Sequence, residues 1–134
     1  MRSTDTPELV EQSFRFALAP VRDQAATVDC WLGASRYWFN AGLGEVKARL
    51  DRRAAGEEDV NLPWSYHGLC SVLNAAWRNE RAPWQAELPC GTYMAGFDAL
   101  GAAFKNFTDG RKAGRHVGFP DFKRKGHCSE SVFF

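Results

Sequence analysis

A long stripe of apolar residues between residues 21 and 50 constrains the fold of this chain more than any other feature. Its members are Val21, Ala25, Val28, Leu32, Phe39, Leu43, Val46 and Leu50. They stand three, four or seven residues apart, which is typical of one face of an α-helix that packs on a core. Gly33, Gly42 and Gly44 each weaken a helix by up to about 1 kcal/mol relative to alanine. The stripe therefore predicts one long amphipathic helix, or two helices with a bend.

Two more helices are predicted beyond a charged loop that ends near residue 59. Ser65 occupies an N-cap position, and the apolar residues that follow it at helical spacing predict a helix that ends near Asn79. A third stripe consists of Tyr93, Phe97, Leu100, Phe104 and Phe107. Gly110 is the predicted stop of this third helix.

Strands are predicted at both ends of the chain. Residues 11–18 alternate between apolar and polar, which is the period of a half-buried strand. Residues 117–122 and 131–134 are predicted as strands from their aromatic and β-branched content, with Pro120 restricting the former to an edge or a bulge. Because a first strand needs partners for its backbone, the helices look like an insertion between segments of one incomplete sheet. We therefore expect an α+β fold.

The size and composition indicate one soluble domain. The chain has 134 residues, of which 45% are hydrophobic and 25% are charged, as in ordinary globular proteins. It has no apolar run long enough for a membrane span and no apolar signal segment at the N-terminus, so a cytoplasmic location is expected. Its four cysteines stand far apart without a Cys-x-x-Cys pair, which argues against a zinc site.

The charge is distributed unevenly along the chain. Residues 1–104 contain ten Lys or Arg and thirteen Asp or Glu, whereas residues 105–134 contain seven and three. Aromatic residues are interleaved with these cations, as expected of a nucleic-acid surface, although a solvated loop is the alternative. The acids, by contrast, are scattered and suggest no pair of catalytic carboxylates.

Four short motifs in order along the chain resemble the N-terminal region of the OrfB/TnpB family of transposon-associated RNA-guided DNA nucleases, which are related to type V CRISPR effectors. The motifs are Phe14-Arg15-Phe16, Arg36-Tyr37-Trp38-Phe39-Asn40-Ala41-Gly42-Leu43, Ala103-Phe104-Lys105-Asn106-Phe107, and Gly118-Phe119-Pro120 with Phe122-Lys123-Arg124-Lys125. The resemblance covers the chain from about residue 12 to its end. Asp121 departs from it, because the family usually has a basic residue there.

The resemblance implies a helical recognition lobe of about three helices, inserted after the first strand of a partial β-barrel called the wedge domain. On this basis residues 1–11 are an N-terminal tail and residues 12–20 are the first wedge strand. Residues 21–110 are the recognition lobe, and residues 111–134 are a basic link and the start of the remaining wedge strands.

The resemblance also implies that this region binds guide RNA and double-stranded target DNA. The family's metal-dependent nuclease centre and zinc ribbon belong to a C-terminal nuclease domain downstream of the matched region. We therefore expect no catalytic residue, metal or other cofactor in this chain. The alternatives are a stand-alone helix-turn-helix DNA-binding module of a transposase and a non-nucleolytic binder or protein-interaction fragment.

The candidate nucleic-acid-binding residues combine cations for phosphate with aromatics for stacking. They are Arg36, Tyr37, Asn40, Lys105, Arg111, Lys112, Arg115, Phe119, Phe122, Lys123, Arg124 and Lys125. For Arg36 a surface salt bridge is an equal alternative. For Asn40 a hydrogen bond to nearby backbone is commoner than contact with a base.

Overall fold

The computed structural model describes residues 22–127, and these residues form a helical fold. In chain order the elements are α1 (Arg22–Ala54), α2 (Tyr66–Val72), α3 (Ala75–Arg81), a 3₁₀ helix (Pro83–Glu87) and α4 (Gly91–Lys112). Residues 113–127 form turns and irregular backbone. No strand occurs within residues 22–127.

The first apolar stripe forms a single helix, which runs through all three glycines. Within α1, Phe39, Leu43 and Val46 are buried as the stripe predicts, whereas Val28 and Leu32 are only half-buried. Trp38 is fully buried beside this stripe, so α1 presents more than one row of side chains to the core.

Helices α1 and α4 cross closely because each contributes a glycine to the contact. A Cβ on Gly96 would lie 2.5 Å from the carbonyl oxygen of Ser35 and 3.0 Å from the amide nitrogen of Phe39. A Cβ on Gly42 would lie 2.7 Å from a methyl carbon of Leu100. The backbone of α4 therefore rests directly on the backbone of α1, and the core is built on either side of this contact.

The second predicted helix is divided into two. The N-cap at Ser65 is confirmed, since its Oγ accepts a hydrogen bond of 3.1 Å from the amide of Gly68. The helix ends at Val72 instead of near Asn79, because Leu73 turns into the core. The Oδ1 of Asn74 then accepts from the amide of Trp77 at 3.1 Å and caps α3.

The third predicted helix extends past Gly110 to Lys112. The backbone turns away at Gly114, whose φ of +74° suits glycine. The amide of Arg115 donates to the carbonyl of Gly110 at 2.8 Å, and the amide of Gly114 donates to that of Arg111 at 3.1 Å. This pair of bonds is a Schellman motif. Gly110 has a different role. Because it has no Cβ, it leaves room for the side chain of Val117 to pack against the helix.

The predicted α+β fold with a partial β-barrel is wrong for the described residues. Residues 117–122 are irregular and not a strand. Pro120 has no N–H for a ladder, and the aromatic residues that suggested a strand pack instead on a helical core. The strands predicted at residues 12–20 and 131–134 lie outside the described residues. The domain boundaries stay predictions.

Replacing Gly96 with alanine should destabilise the fold, because the new methyl group would meet the α1 backbone, which cannot rotate away. We expect the free energy of unfolding to fall by about 1–3 kcal/mol, the usual cost of overpacking. Gly44 is the matched control, since a Cβ there meets nothing within 4 Å. Gly44→Ala should raise stability by up to about 1 kcal/mol through helix propensity. Urea unfolding of both variants measures the difference; equal effects would contradict the close crossing.

Candidate nucleic-acid interface

The basic segment, residues 119–125, is held on α1 by the side-chain amide of Asn40. The Nδ2 of Asn40 donates to the carbonyl of Lys123 at 2.9 Å, and the amide of Lys123 donates to the Oδ1 of Asn40 at 2.7 Å. The two residues are 83 positions apart in sequence. Since both bonds involve the backbone of Lys123, the amide acts as a neighbouring strand would. Asn40 thus bonds to backbone, although to a residue far away in sequence; its contact with a base stays a prediction.

Phe119 provides a second attachment for the same segment. Its ring centroid lies 5.3 Å from that of Phe107, 5.9 Å from that of Phe104 and 6.2 Å from that of Trp64. The ring is half-buried, so it contributes mainly to packing. Its stacking on a base stays a prediction.

Two lysines lie over aromatic rings where the segment crosses α1. The Nζ of Lys123 is 4.6 Å from the centroid of Phe39, and the Nζ of Lys47 is 4.5 Å from the centroid of Phe122. Cation–π contacts of this kind hold both ammonium groups near the protein surface. The ring of Phe122 is 49% exposed, so the part not covered by Lys47 faces solvent. Arg124 and Lys125 follow it and are exposed.

On α1, Arg36 lies one turn before Asn40 on the same helix face and is half-buried. Lys47 lies on this face two turns after Asn40. Lys47 is not among the residues predicted from the sequence, although its helical spacing from Asn40 was a usable signal. Tyr37 lies on a different face, where its ring contacts those of Trp38 and Trp84 at centroid distances of 5.0 and 5.1 Å. The structure thus separates Tyr37 from the Asn40 attachment.

The remaining predicted residues lie along the C-terminal half of α4 and in the turn that follows it. Lys105 is exposed, and its Nζ pairs with the Oδ2 of Asp109 at 2.7 Å. This hydrogen bond raises the pKa of Lys105 and lowers the pKa of Asp109. Arg111 lies 5.5 Å from the centroid of Phe107, and Lys112 and Arg115 are exposed beside it. These cations form a second basic group, separate from residues 123–125.

Within residues 22–127, no three His, Cys, Asp or Glu side chains come close enough to hold a metal ion. No described helix is both long enough and apolar enough to cross a bilayer.

Two proteins of Mycobacterium tuberculosis, from strains CDC 1551 / Oshkosh and ATCC 25618 / H37Rv, are similar to this chain, and each carries the name "Putative RNA-guided DNA endonuclease". Each is 31% identical over 137 aligned positions, which cover 92% of this chain. The chain spans only 28% of the length of these relatives. No protein-family model matches the chain, and no solved structure matches it. The chain is thus a distant relative of proteins named as RNA-guided DNA endonucleases.

Replacing Asn40 with alanine should release residues 120–125 from α1, because both backbone groups of Lys123 lose their partner. We expect the amide of Lys123 to exchange with solvent at least tenfold faster, since each lost hydrogen bond is worth about 1 kcal/mol. Hydrogen exchange followed by NMR measures this directly. Asn40→Asp keeps the acceptor for this amide and should retain part of the protection. Asn106 is exposed on α4, so Asn106→Ala is the control; equal exchange in all variants would refute the attachment.

Proposed function

We propose that this chain is the N-terminal nucleic-acid-binding part of a TnpB-like RNA-guided DNA endonuclease. In that role it contacts guide RNA and target-adjacent DNA, while strand cleavage belongs to a nuclease domain outside this chain, with its divalent metal and zinc. The observation that carries the proposal is the alignment of 92% of the chain with relatives that are named as RNA-guided DNA endonucleases.

The attachment of the basic segment supports a binding role. In RNA-guided nucleases base pairing reads the sequence, whereas the protein contacts backbone phosphates and a short duplex motif. Such contacts need cations held at fixed positions, because ordering a loose segment reduces affinity. Asn40 and Phe119 fix the segment on both sides of Pro120, so that Arg124 and Lys125 follow directly from an ordered point.

The stand-alone helix-turn-helix alternative receives less support from α2 and α3. Each has only seven residues. A recognition helix needs side chains that reach into a DNA groove. The two arginines of α3 contact the protein itself: Arg78 lies over the ring of Tyr93 at 3.9 Å, and Arg81 lies over that of Trp77 at 5.1 Å.

The protein-interaction alternative is favoured by one specific feature. Tyr37 and Trp84 are 38% and 41% exposed, and their rings are in contact. Exposed aromatic pairs are common in protein interfaces. Contact with another protein domain through this pair is compatible with nucleic-acid binding elsewhere on the chain.

Replacing both Arg124 and Lys125 with glutamine should weaken binding to structured RNA and to duplex DNA. We expect the slope of log K against log salt to fall by about 0.9 for each duplex phosphate contact that is lost. Mobility-shift titrations at several salt concentrations measure this slope. Lys123 is kept, because its backbone anchors the segment.

The matched control is Arg52→Gln with Arg81→Gln, which removes the same charge from exposed positions outside the segment. If both double variants bound equally, net charge and not the segment would govern binding. If the parent chain bound neither nucleic acid, the proposed function would be wrong. A Trp84→Ser variant should bind nucleic acid as the parent does; weaker binding would place the aromatic pair in the nucleic-acid surface.

A further inference from the structure

A cavity of about 640 Å³ lies between the end of α1, the loop before α2 and the end of α4. Aromatic rings form much of its apolar lining, and they come from Trp64, Phe107 and Phe119. Leu50 and Leu62 complete the apolar part. The ring of Trp64 is already stacked on the buried Phe104, at 4.4 Å between centroids and 14° between planes. The ring of Trp64 is therefore held in place by the core and offers one fixed flat surface to the cavity.

Cations alone supply the charge of this lining. They are Arg53 from the last turn of α1, and Arg111 and Lys112 from the last turn of α4. No carboxylate is among the lining residues. A second depression of about 500 Å³ shares Phe107 and Arg111 with this cavity and adds Arg115 and His116. A flat apolar pocket beside cations fits a group that is aromatic at one end and anionic at the other.

We propose that this cavity binds one unstacked nucleotide of single-stranded RNA, with its base against the rings of Trp64, Phe107 and Phe119 and its phosphate on Arg53, Arg111 and Lys112. The assignment rests on the proposed function, in which the RNA is the guide. Proteins commonly recognise RNA at unpaired nucleotides whose bases stack on aromatic side chains. An open cavity favours such nucleotides, because a base inside a DNA duplex must first be unpaired and flipped out.

Thr108 favours ribose over deoxyribose. Thr108 is one of the lining residues, and its Oγ donates back to the helix, at 3.2 Å from the carbonyl of Phe104 and 3.0 Å from that of Lys105. With its proton committed to the backbone, the oxygen can only accept a further hydrogen bond. The 2′-hydroxyl of RNA supplies such a donor, and DNA has none.

The test is the affinity of the 134-residue chain for a fluorescein-labelled octauridylate, measured by fluorescence anisotropy. Arg53 and Arg52 are neighbours in the last turn of α1, but only Arg53 lines the cavity. Arg53→Gln should lower the salt slope by about 0.7, the value for one phosphate contact on a single strand. Arg52→Gln should leave the slope unchanged. Equal slopes for the two variants would overturn the phosphate assignment.

Two further variants test the base and the sugar. Leu62→Trp fills the cavity without changing charge and should weaken octauridylate binding roughly tenfold, the effect of losing one stacked base. Thr108→Val should reduce RNA affinity to that of the matching deoxyoligonucleotide while leaving DNA affinity unchanged. Thermal unfolding confirms that each variant is folded.

Photocrosslinking keeps the proposal testable even if a variant fails to fold. An octanucleotide with one 4-thiouridine should crosslink to peptides that contain Trp64, Phe107 or Phe119. Crosslinks confined to other peptides, or unchanged affinity of the Leu62→Trp variant, would overturn the cavity assignment but not the proposed function. Loss of nucleic-acid binding by the parent chain would overturn both.

Discussion

The contact between the backbones of α1 and α4 is the constraint on which the other features depend. Gly42 and Gly96 each leave out a side chain where the two helices meet, and the partner helix occupies that space. Because protein interiors are packed at nearly crystalline density, only a few side-chain shapes fit around two helices at this separation. Trp38 and Phe97, on opposite helices, therefore meet edge to face at 5.9 Å between centroids.

The burial of Trp38 in turn organises the polar part of the core. Its Nε1 donates to the Oε1 of Gln85 at 2.7 Å, and the Nε2 of Gln85 donates to the Oγ of Thr92 at 2.9 Å. The Thr92 hydroxyl donates to the carbonyl of Pro89 at 2.8 Å. A buried amide without partners would cost about 1–3 kcal/mol, so this chain of bonds ties the 3₁₀ helix and the start of α4 to α1. The connection between Arg81 and Gly91, which includes the 3₁₀ helix, is thereby given a defined path.

The sequence was a good guide to features that depend on local spacing. The long helix, the cap at Ser65 and the core role of Phe104 are all visible in residues that are close in sequence. It was a poor guide to residues 117–122, because aromatic residues that face a helical core and aromatic residues in a strand look alike without their partners. The burial of Trp38 was not predicted, because helix periodicity identifies one apolar stripe and does not reveal that α1 has neighbours on a second side.

The candidate site could be read from sequence as a list of basic and aromatic residues, but not as groups. Neither Lys47 nor Arg53 was on that list: Lys47 lies over the ring of Phe122, and Arg53 lines one cavity with Arg111, only because the chain folds back over many tens of residues. The attachment at Asn40 has a further consequence for how such a surface can change over generations. Asn40 bonds to the backbone N–H and carbonyl of Lys123 and not to its side chain. Any residue except proline at position 123 can therefore keep the same two bonds. The bonds that anchor the segment thus do not depend on the side chain at position 123, and this side chain can change without removing them.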